Sequence, residues 1–357
     1  MKKNNFQNLL NNKTTETYFI ADIAANHDGS LKRAKKLIRL CALSGANAAK
    51  FQHFKAETII SEEGFNMLGK IAHQKKWKTS VFEAYKKASI NPLWGKELKR
   101  ECKKYKIEYM TSPYDLDYVD EVEKDIAAYK IGSGEITWKE ILIKIAKKRK
   151  PIILATGAST FKDVKKAIKI ILKYNKFQPV LMQCNTNYTN STKNLEYLNL
   201  NVLKQYKNIF KNKVILGLSD HTKGHLSVIA SIALGAKVVE KHFTDDNNRE
   251  GPDHKFSMNP SDWKKMVDEA KTIQKSLGDG RKKIEKNEKD SSIVQRRGAW
   301  LKIRVKKGEK LKRSMLSFLR PCPKKSLNIF DIEKYLGKKF KASLKKNTLL
   351  EKKCLIL

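Results

Sequence analysis

The chain has 357 residues, with 75 Lys and Arg against 37 Asp and Glu, for a formal net charge of +38. Those charges are spread over nearly every helix-period segment, mostly as lysine and without a zinc-finger or RNA-recognition pattern, so they read as a solvated surface that favours small anionic substrates; no nucleic-acid partner is expected, and a polyanion-binding protein is the competing class. Five widely spaced cysteines without metal or redox spacing, no run of about 18 apolar residues, and an opening stretch without an apolar centre give the expectation of a cytoplasmic protein with no membrane association.

Residues 1–17 read as an N-terminal extension. From residue 18 onward, short apolar runs alternate with helix-period segments, the pattern of successive βα units around a parallel sheet. The strands are expected at "YFIADIA", "NAAKFQ", "IEYMTS", "AAYKIG", "PIILAT", "PVLMQC", "VILGLS" and "KVVEKHF". Eight is the number that closes a TIM (β/α)8 barrel, so an α/β barrel over residues 18–278 is the predicted fold. Helices are expected at "SLKRAKKLIRLCALSG", "VFEAYKKASINPLWGKELKRECKKY" and "TFKDVKKAIKIILKY". The stretch "KAETIISEEGFNMLGKIAHQKKWKTS" is too long for an ordinary βα loop and is expected to form a flap over the active site. Residues 279–294, charged and glycine-bearing, read as a linker. Residues 295–357, with short β-like runs between turns, read as a small β-rich domain.

In a barrel of this kind the chemistry lies at the C-terminal ends of the strands, and unusual residues collect there. The eighth run ends in Glu240, Lys241 and His242, charges that a strand buried on both faces should not carry. The other runs lead to Asp22, Lys50, Ser112, Lys130, Thr156, "QCNTNY" and "LSDHT". Taken singly, each such residue reads as a cap or a solvated group; together they define a site. His221 and His242 end neighbouring strands and aim two imidazoles at one point, as metal ligands must be, leaving open positions for a substrate oxygen. Lys50, Lys130, Ser112, Ser133 and Ser219, with Gly132 and Gly134, surround the same point as binders of a phosphate or carboxylate. No nucleotide-binding glycine fingerprint is present.

The ordered motifs "ANHDGS", "KFQ", "AYKIGSGE", "TG", "GLSDHT", "ALGAKVVEKHFTDD", "EGPDH" and "FSMNP" resemble those of the sialic acid synthases, the family of N-acetylneuraminate synthase and its legionaminic and pseudaminic acid relatives. The resemblance runs from about residue 18 to the C-terminus. It implies condensation of phosphoenolpyruvate with an open-chain N-acetylated sugar, N-acetylmannosamine first and a 2,4-diacetamido-6-deoxy hexose as the alternative. It also implies a divalent cation, Mn2+ before Mg2+ or Co2+, held by His221 and His242. By the same resemblance Lys50, Ser112, Lys130, Ser133 and Ser219 contact phosphoenolpyruvate; Tyr188, Asp253 and Arg320 contact the sugar; and Asp22, Glu135 and Glu240 are acidic residues of the pocket.

The tail is similar to an antifreeze-like (SAF) domain, with "LRP" at 319–321 as its landmark, and implies a lid over the partner subunit's site in a domain-swapped homodimer. Three positions depart from the family pattern: Asp22 stands where Glu is usual, Ala155 stands for a phosphate-holding Ser, and "CNTNY" alters the turn after the sixth strand, leaving open which of Asn185, Thr186 and Asn187 faces a ligand.

Overall fold

A computed structural model describes residues 5–69, 71, 74, 75, 77–189 and 191–357. Eight parallel strands close into a barrel in chain order. They are β1 (Tyr18–Asp22), β2 (Ala48–His53), β3 (Glu108–Pro113), β4 (Tyr129–Ile131), β5 (Ile152–Ala155), β6 (Val180–Cys184), β7 (Ile215–Asp220) and β8 (Val238–His242). Each predicted strand is present within a residue or two of its expected ends. They form because every run is buried on both faces, which is what a parallel strand between a barrel interior and a ring of helices requires.

Side chains alternate between those two surroundings. Phe19, Ala21, Ala49, Phe51, Ile131, Leu154, Leu181, Leu218 and Val239 face outward into the large cluster packed against the helices. Tyr18, Ile20, Ala48, Met110, Ile153, Val180, Met182 and Val238 face inward, in the half of the barrel where the strands begin. Register then decides what tops this inner layer: Asp22 lies beside both Lys50 and His242, Gln52 beside Ser112, and Ser219 beside Glu240.

The extension before β1 is part of the barrel. A helix at Phe6–Leu10, capped by the Asn5 side chain on the Asn8 N–H, buries Phe6 and Leu9 among the inward residues of the strand beginnings. Its start is pinned by Glu108, whose Oε2 accepts both the Phe6 N–H at 2.8 Å and the Tyr18 hydroxyl at 2.5 Å.

The helix expected over residues 81–105 is two helices, Val81–Ala88 and Gly95–Lys104. Proline cannot continue a helix interior, and Asn91 and Pro92 begin a separate short turn. The expected helices at 30–45 and 160–174 appear as Leu31–Leu43 and Phe161–Tyr174, the second with a Thr160/Asp163 capping box. In the stretch expected as a flap, the described residues form short helices at Ala56–Ile59 and Glu62–Leu68; Lys70, Ala72, His73 and Lys76 lie outside the described residues.

The chain divides into two compact units, residues 1–278 and 279–357. The second has its own core of Ala299, Leu301, Val305, Leu311, Met315, Leu327, Phe340 and Leu350. Its β9 (Gly298–Leu301) and β10 (Leu316–Leu319) pair antiparallel. The segment read as a linker is partly ordered into the helix Lys289–Val294, tied to this unit where the Cys322 N–H donates to the Ile293 carbonyl.

Candidate active site

The inward positions at the strand ends form one continuous polar surface. Lys50 Nζ lies 2.7 Å from Asp22 Oδ2 and 3.8 Å from Glu240 Oε1, and Lys130 Nζ lies 3.1 Å from the same Glu240 oxygen. Ser219 Oγ donates to Glu240 Oε1 at 3.3 Å. All five side chains are buried.

Burial penalises each of these charges, and the ion pairs answer it. Burial would push the Glu240 carboxyl up, but Lys130 and Lys50 overcome it and hold the group down at about 2. Burial likewise opposes the Lys50 ammonium, and Asp22 with Glu240 turns the balance, so its pKa is raised. Asp22 goes the other way: burial outweighs Lys50 and lifts its carboxyl above the usual range. Although a methylene shorter than glutamate, Asp22 reaches Lys50 directly.

Four buried polar atoms in this mouth have no partner among the described residues: Ser112 Oγ, Glu135 Oε2, Glu240 Oε2 and His242 Nδ1. A buried polar atom left unpaired costs about 1–3 kcal/mol, so this concentration at one spot marks a surface shaped for a polar guest. Glu135 and Asp253 belong to the same surface. Burial pushes both carboxyls up to about 7, against the pull of Lys130 and Lys50 on Glu135 and of the Ala25 N–H on Asp253. Ser133 Oγ accepts the Gly157 N–H at 2.9 Å, which turns β5's end toward the residues after β4. Glycine leaves room for the site's side chains at both turns. A Cβ on Gly132 would come within 2.5 Å of Glu135 Oε2, and one on Gly157 would collide with the Thr186 methyl and crowd Ser133 Oγ at 3.0 Å.

His221 and His242 come together as expected from their strands, with ring centroids 5.3 Å apart. Tyr188 closes over His221 at 4.3 Å and Phe256 over His242 at 4.9 Å, giving the pair an aromatic wall. Burial drives both imidazoles down to about 3, so both are neutral at ordinary pH, the state that ligates metal. His221 Nδ1 faces the Asn185 carbonyl at 2.9 Å, an arrangement that places the proton on Nδ1 and leaves Nε2 with its lone pair. Among the described residues no group of three or more His, Cys, Asp or Glu side chains forms a ready cluster, so a cation at this point would rest on these two imidazoles. Two neutral imidazoles, one with an unpartnered buried nitrogen, fit a divalent cation that keeps positions open for substrate oxygens.

The turn after β6 gives its three polar residues different surroundings. The Asn185 carbonyl orients His221, while its side chain turns away to the Tyr197 carbonyl. Asn187 caps Thr189 locally and is exposed; Thr186 packs its methyl at Gly157. Ala155, where a phosphate-holding Ser is usual, is buried and offers no hydroxyl. Arg320 is exposed in the second unit, in a turn braced by the Trp300 Nε1–H, which donates to the Leu319 and Pro321 carbonyls. The other predicted site residues all lie in the barrel unit, at its strand ends and the loops beside them.

Several residues that shape this mouth went unseen in the sequence. Tyr114 lies against Gly132, with its hydroxyl 3.2 Å from where a Cβ would stand, and Phe54 bridges Tyr114 and Tyr85. Asn26 binds the loop after β1 to that after β8 through the Phe243 carbonyl and Ser257 Oγ. Asp28 holds His254 at 2.8 Å and Arg249 at 2.7 Å. Lys241, one of the three puzzling charges, does not enter the mouth: strand alternation sends it to the outer face, onto Asp220. The "ANHDG" and "GPDH" motifs carried a signal for Asn26, Asp28 and His254; the aromatics had none.

Comparison with known proteins gives a consistent result. The model of the NeuB family matches residues 37–282. The chain is 37% identical over 342 residues, 94% of its length and 99% of the relative's, to the N,N'-diacetyllegionaminic acid synthase of Campylobacter jejuni subsp. jejuni. It is 32% identical to that of Legionella pneumophila subsp. pneumophila, covering 85% of each chain. Among solved structures, the N-acetylneuraminic acid synthetase of Leptospira borgpetersenii serovar Hardjo-bovis, in complex with citrate, superposes with a TM-score of 0.68 at 27% identity, over 78% of this chain and 90% of that one.

Proposed function

The chain belongs to the NeuB family, an enzyme family of phosphoenolpyruvate-dependent sugar condensation, and on that premise we propose that it joins phosphoenolpyruvate to a 2,4-diacetamido-6-deoxy hexose to make a legionaminic-type acid and phosphate. The near full-length likeness to the Campylobacter synthase supports this sugar over N-acetylmannosamine, the substrate first expected from the resemblance.

The mouth supports the reaction class. Lys50 and Lys130 converge on one volume, and the unpartnered Ser112 Oγ and the glycine-tightened turn at Ser133 add donors, which is how a phosphate and a carboxylate are held together. Glu240, ionised throughout the working range, keeps the two ammonium groups at fixed separation. When bound at His221 and His242, a divalent cation supplies polarisation of the aldehyde oxygen. Tyr188 and Phe256 exclude bulk water from that side and give the sugar an apolar face to lie on. The enol carbon then attacks the aldehyde carbon, the cationic centre left behind takes up water, and the carbon–phosphate ester oxygen bond is lost as phosphate. Glu135, with its carboxyl near 7, is the group placed to give or take a proton there. Arg320 is proposed as a contact to the sugar, acting from the small domain as a lid in a swapped dimer.

The test is phosphate release from phosphoenolpyruvate with Mn2+ and, in turn, N-acetylmannosamine and the 2,4-diacetamido-6-deoxy hexoses that lead to legionaminic and pseudaminic acids. The legionaminic precursor should give the highest kcat/KM. A higher value with N-acetylmannosamine would return the assignment to N-acetylneuraminate synthesis, and no release with any of the three would refute the reaction.

A further inference from the structure

The outer face of the barrel beside the two histidines holds a charge pair that the reaction does not use. Lys241 and Asp220 occupy the last paired positions of the β7–β8 ladder, which ends there. His221 and His242 are the very next residues, so no strand pairing holds one imidazole-bearing backbone to the other.

A side-chain network continues where the ladder stops. Lys241 Nζ donates to Asp220 Oδ2 at 2.6 Å and to the Thr222 carbonyl at 2.7 Å. Asp220 Oδ1 accepts the Thr222 N–H at 3.0 Å and its hydroxyl at 2.8 Å, and Oδ2 also accepts the Ser227 hydroxyl at 2.6 Å. The residues on both sides of His221 are thereby tied to the neighbour of His242, and through Ser227 to the helix Leu226–Ala233. Lys241 and Asp220 are 2% and 1% exposed, so solvent does not loosen the contacts. A buried ion pair is a poor route to stability, because two well-packed apolar side chains do as well or better, but it fixes geometry sharply.

Resting on the reading of His221 and His242 as cation ligands, we propose that Lys241 and Asp220 are positioning residues for the metal site: a clamp outside the barrel that sets the spacing of the two imidazoles inside it. Groups that orient ligating side chains typically cost 10–100-fold in metal affinity when lost.

The experiment measures Mn2+ binding to the full chain without substrates, by electron paramagnetic resonance of free and bound ion. Wild type is compared with Lys241→Met and with the double variant Asp220→Leu/Lys241→Met, alongside thermal melting. Lys241→Met leaves Asp220 buried and unpaired, so it should lose both stability and about 10–100-fold in Mn2+ affinity. The double variant should recover the melting temperature while its Mn2+ affinity stays low, a split that a purely structural pair would not produce. Asp220→Asn, which keeps the shape but removes the carboxylate charge and turns one of its acceptor oxygens into a donor, serves where the others do not fold. A folded variant that binds Mn2+ within about twofold of wild type overturns the clamp. If wild type itself binds no more Mn2+ than His242→Ala, the ligand assignment falls and takes the clamp with it, so the two failures are told apart.

Discussion

The two ends of the barrel interior are made from the same eight strands by opposite chemistry. Where the strands begin, the inward positions are Tyr18, Ala48, Ile153, Val180 and Val238, and Phe6 and Leu9 fill the remaining space. Where they end, further along the same strands, the inward positions are Asp22, Lys50, Lys130, Ser219, Glu240 and His242. One end hides apolar area; the other buries charge and leaves polar atoms without partners among the described residues. The contrast shows that stability and function are divided along the strand axis, so a substitution's height in the barrel predicts which of the two it harms.

The lower end should give the largest single effect. Phe6→Ala empties a buried aromatic site and is expected to cost about 3–5 kcal/mol, seen as a lower urea midpoint, with kcat/KM of the folded protein unchanged. A matching fall in kcat/KM would mean that the two ends are coupled. At the upper end His242→Ala is expected to reduce turnover more than about 100-fold with the urea midpoint held or raised, since it removes a costly buried polar ring. Chelation of the wild type should act alike and be reversed by Mn2+; full turnover after chelation would remove the cation from the mechanism.

Lys50→Met is next. It deletes a charged contact worth roughly 1.5–3 kcal/mol, so KM for phosphoenolpyruvate should rise about 10–100-fold while KM for the sugar moves little. Equal change in both would make Lys50 a structural partner of Asp22 only.

The smallest effect sharpens the contrast through pH. The Glu135 carboxyl is raised from its ordinary value to about 7 by burial. The folded protein therefore holds this proton more tightly than the unfolded chain does, and stability falls as pH rises from the ordinary carboxyl range to about 7, then levels. Glu135→Gln removes that loss. Its melting temperature should match wild type at pH 4 and exceed it by roughly 2–5 °C at pH 8, while turnover drops. A gain of the same size at pH 4 would mean that packing, not charge, separates the two proteins.

How much of this was legible beforehand follows the same division. The eight strands were readable because each is an apolar run that stops at a polar residue, and the histidine pair because adjacent strand ends must meet. The Phe6–Leu10 helix was not, since five residues are too few to show a period and only contact with the closed barrel holds them. The break at Pro92 was visible in the sequence but outweighed by the lysine-rich helical pattern around it. Lys241 shares the strand end with Glu240 and His242 but not their direction: counting by twos from Val238 sends Glu240 and His242 inward and Lys241 outward. Tyr85, on the helix Val81–Ala88, and Tyr114, just past β3, meet around Phe54 through tertiary packing that no local pattern encodes.

The plug made by Phe6 and Leu9 has a consequence for the order of events during synthesis. These side chains pack against a layer that draws residues from β1, β2, β3, β5, β6, β7 and β8, and β8 is not made until residue 242. The Phe6–Leu10 helix leaves the ribosome ahead of every barrel strand yet is among the last elements to find its place, and it must wait as exposed apolar surface while the strands assemble. A nascent chain arrested before β8 therefore displays Phe6 and Leu9, and a full-length chain does not. Accessibility of Phe6–Leu10 to a protease or a chaperone is a direct readout of whether the last strand has closed the ring.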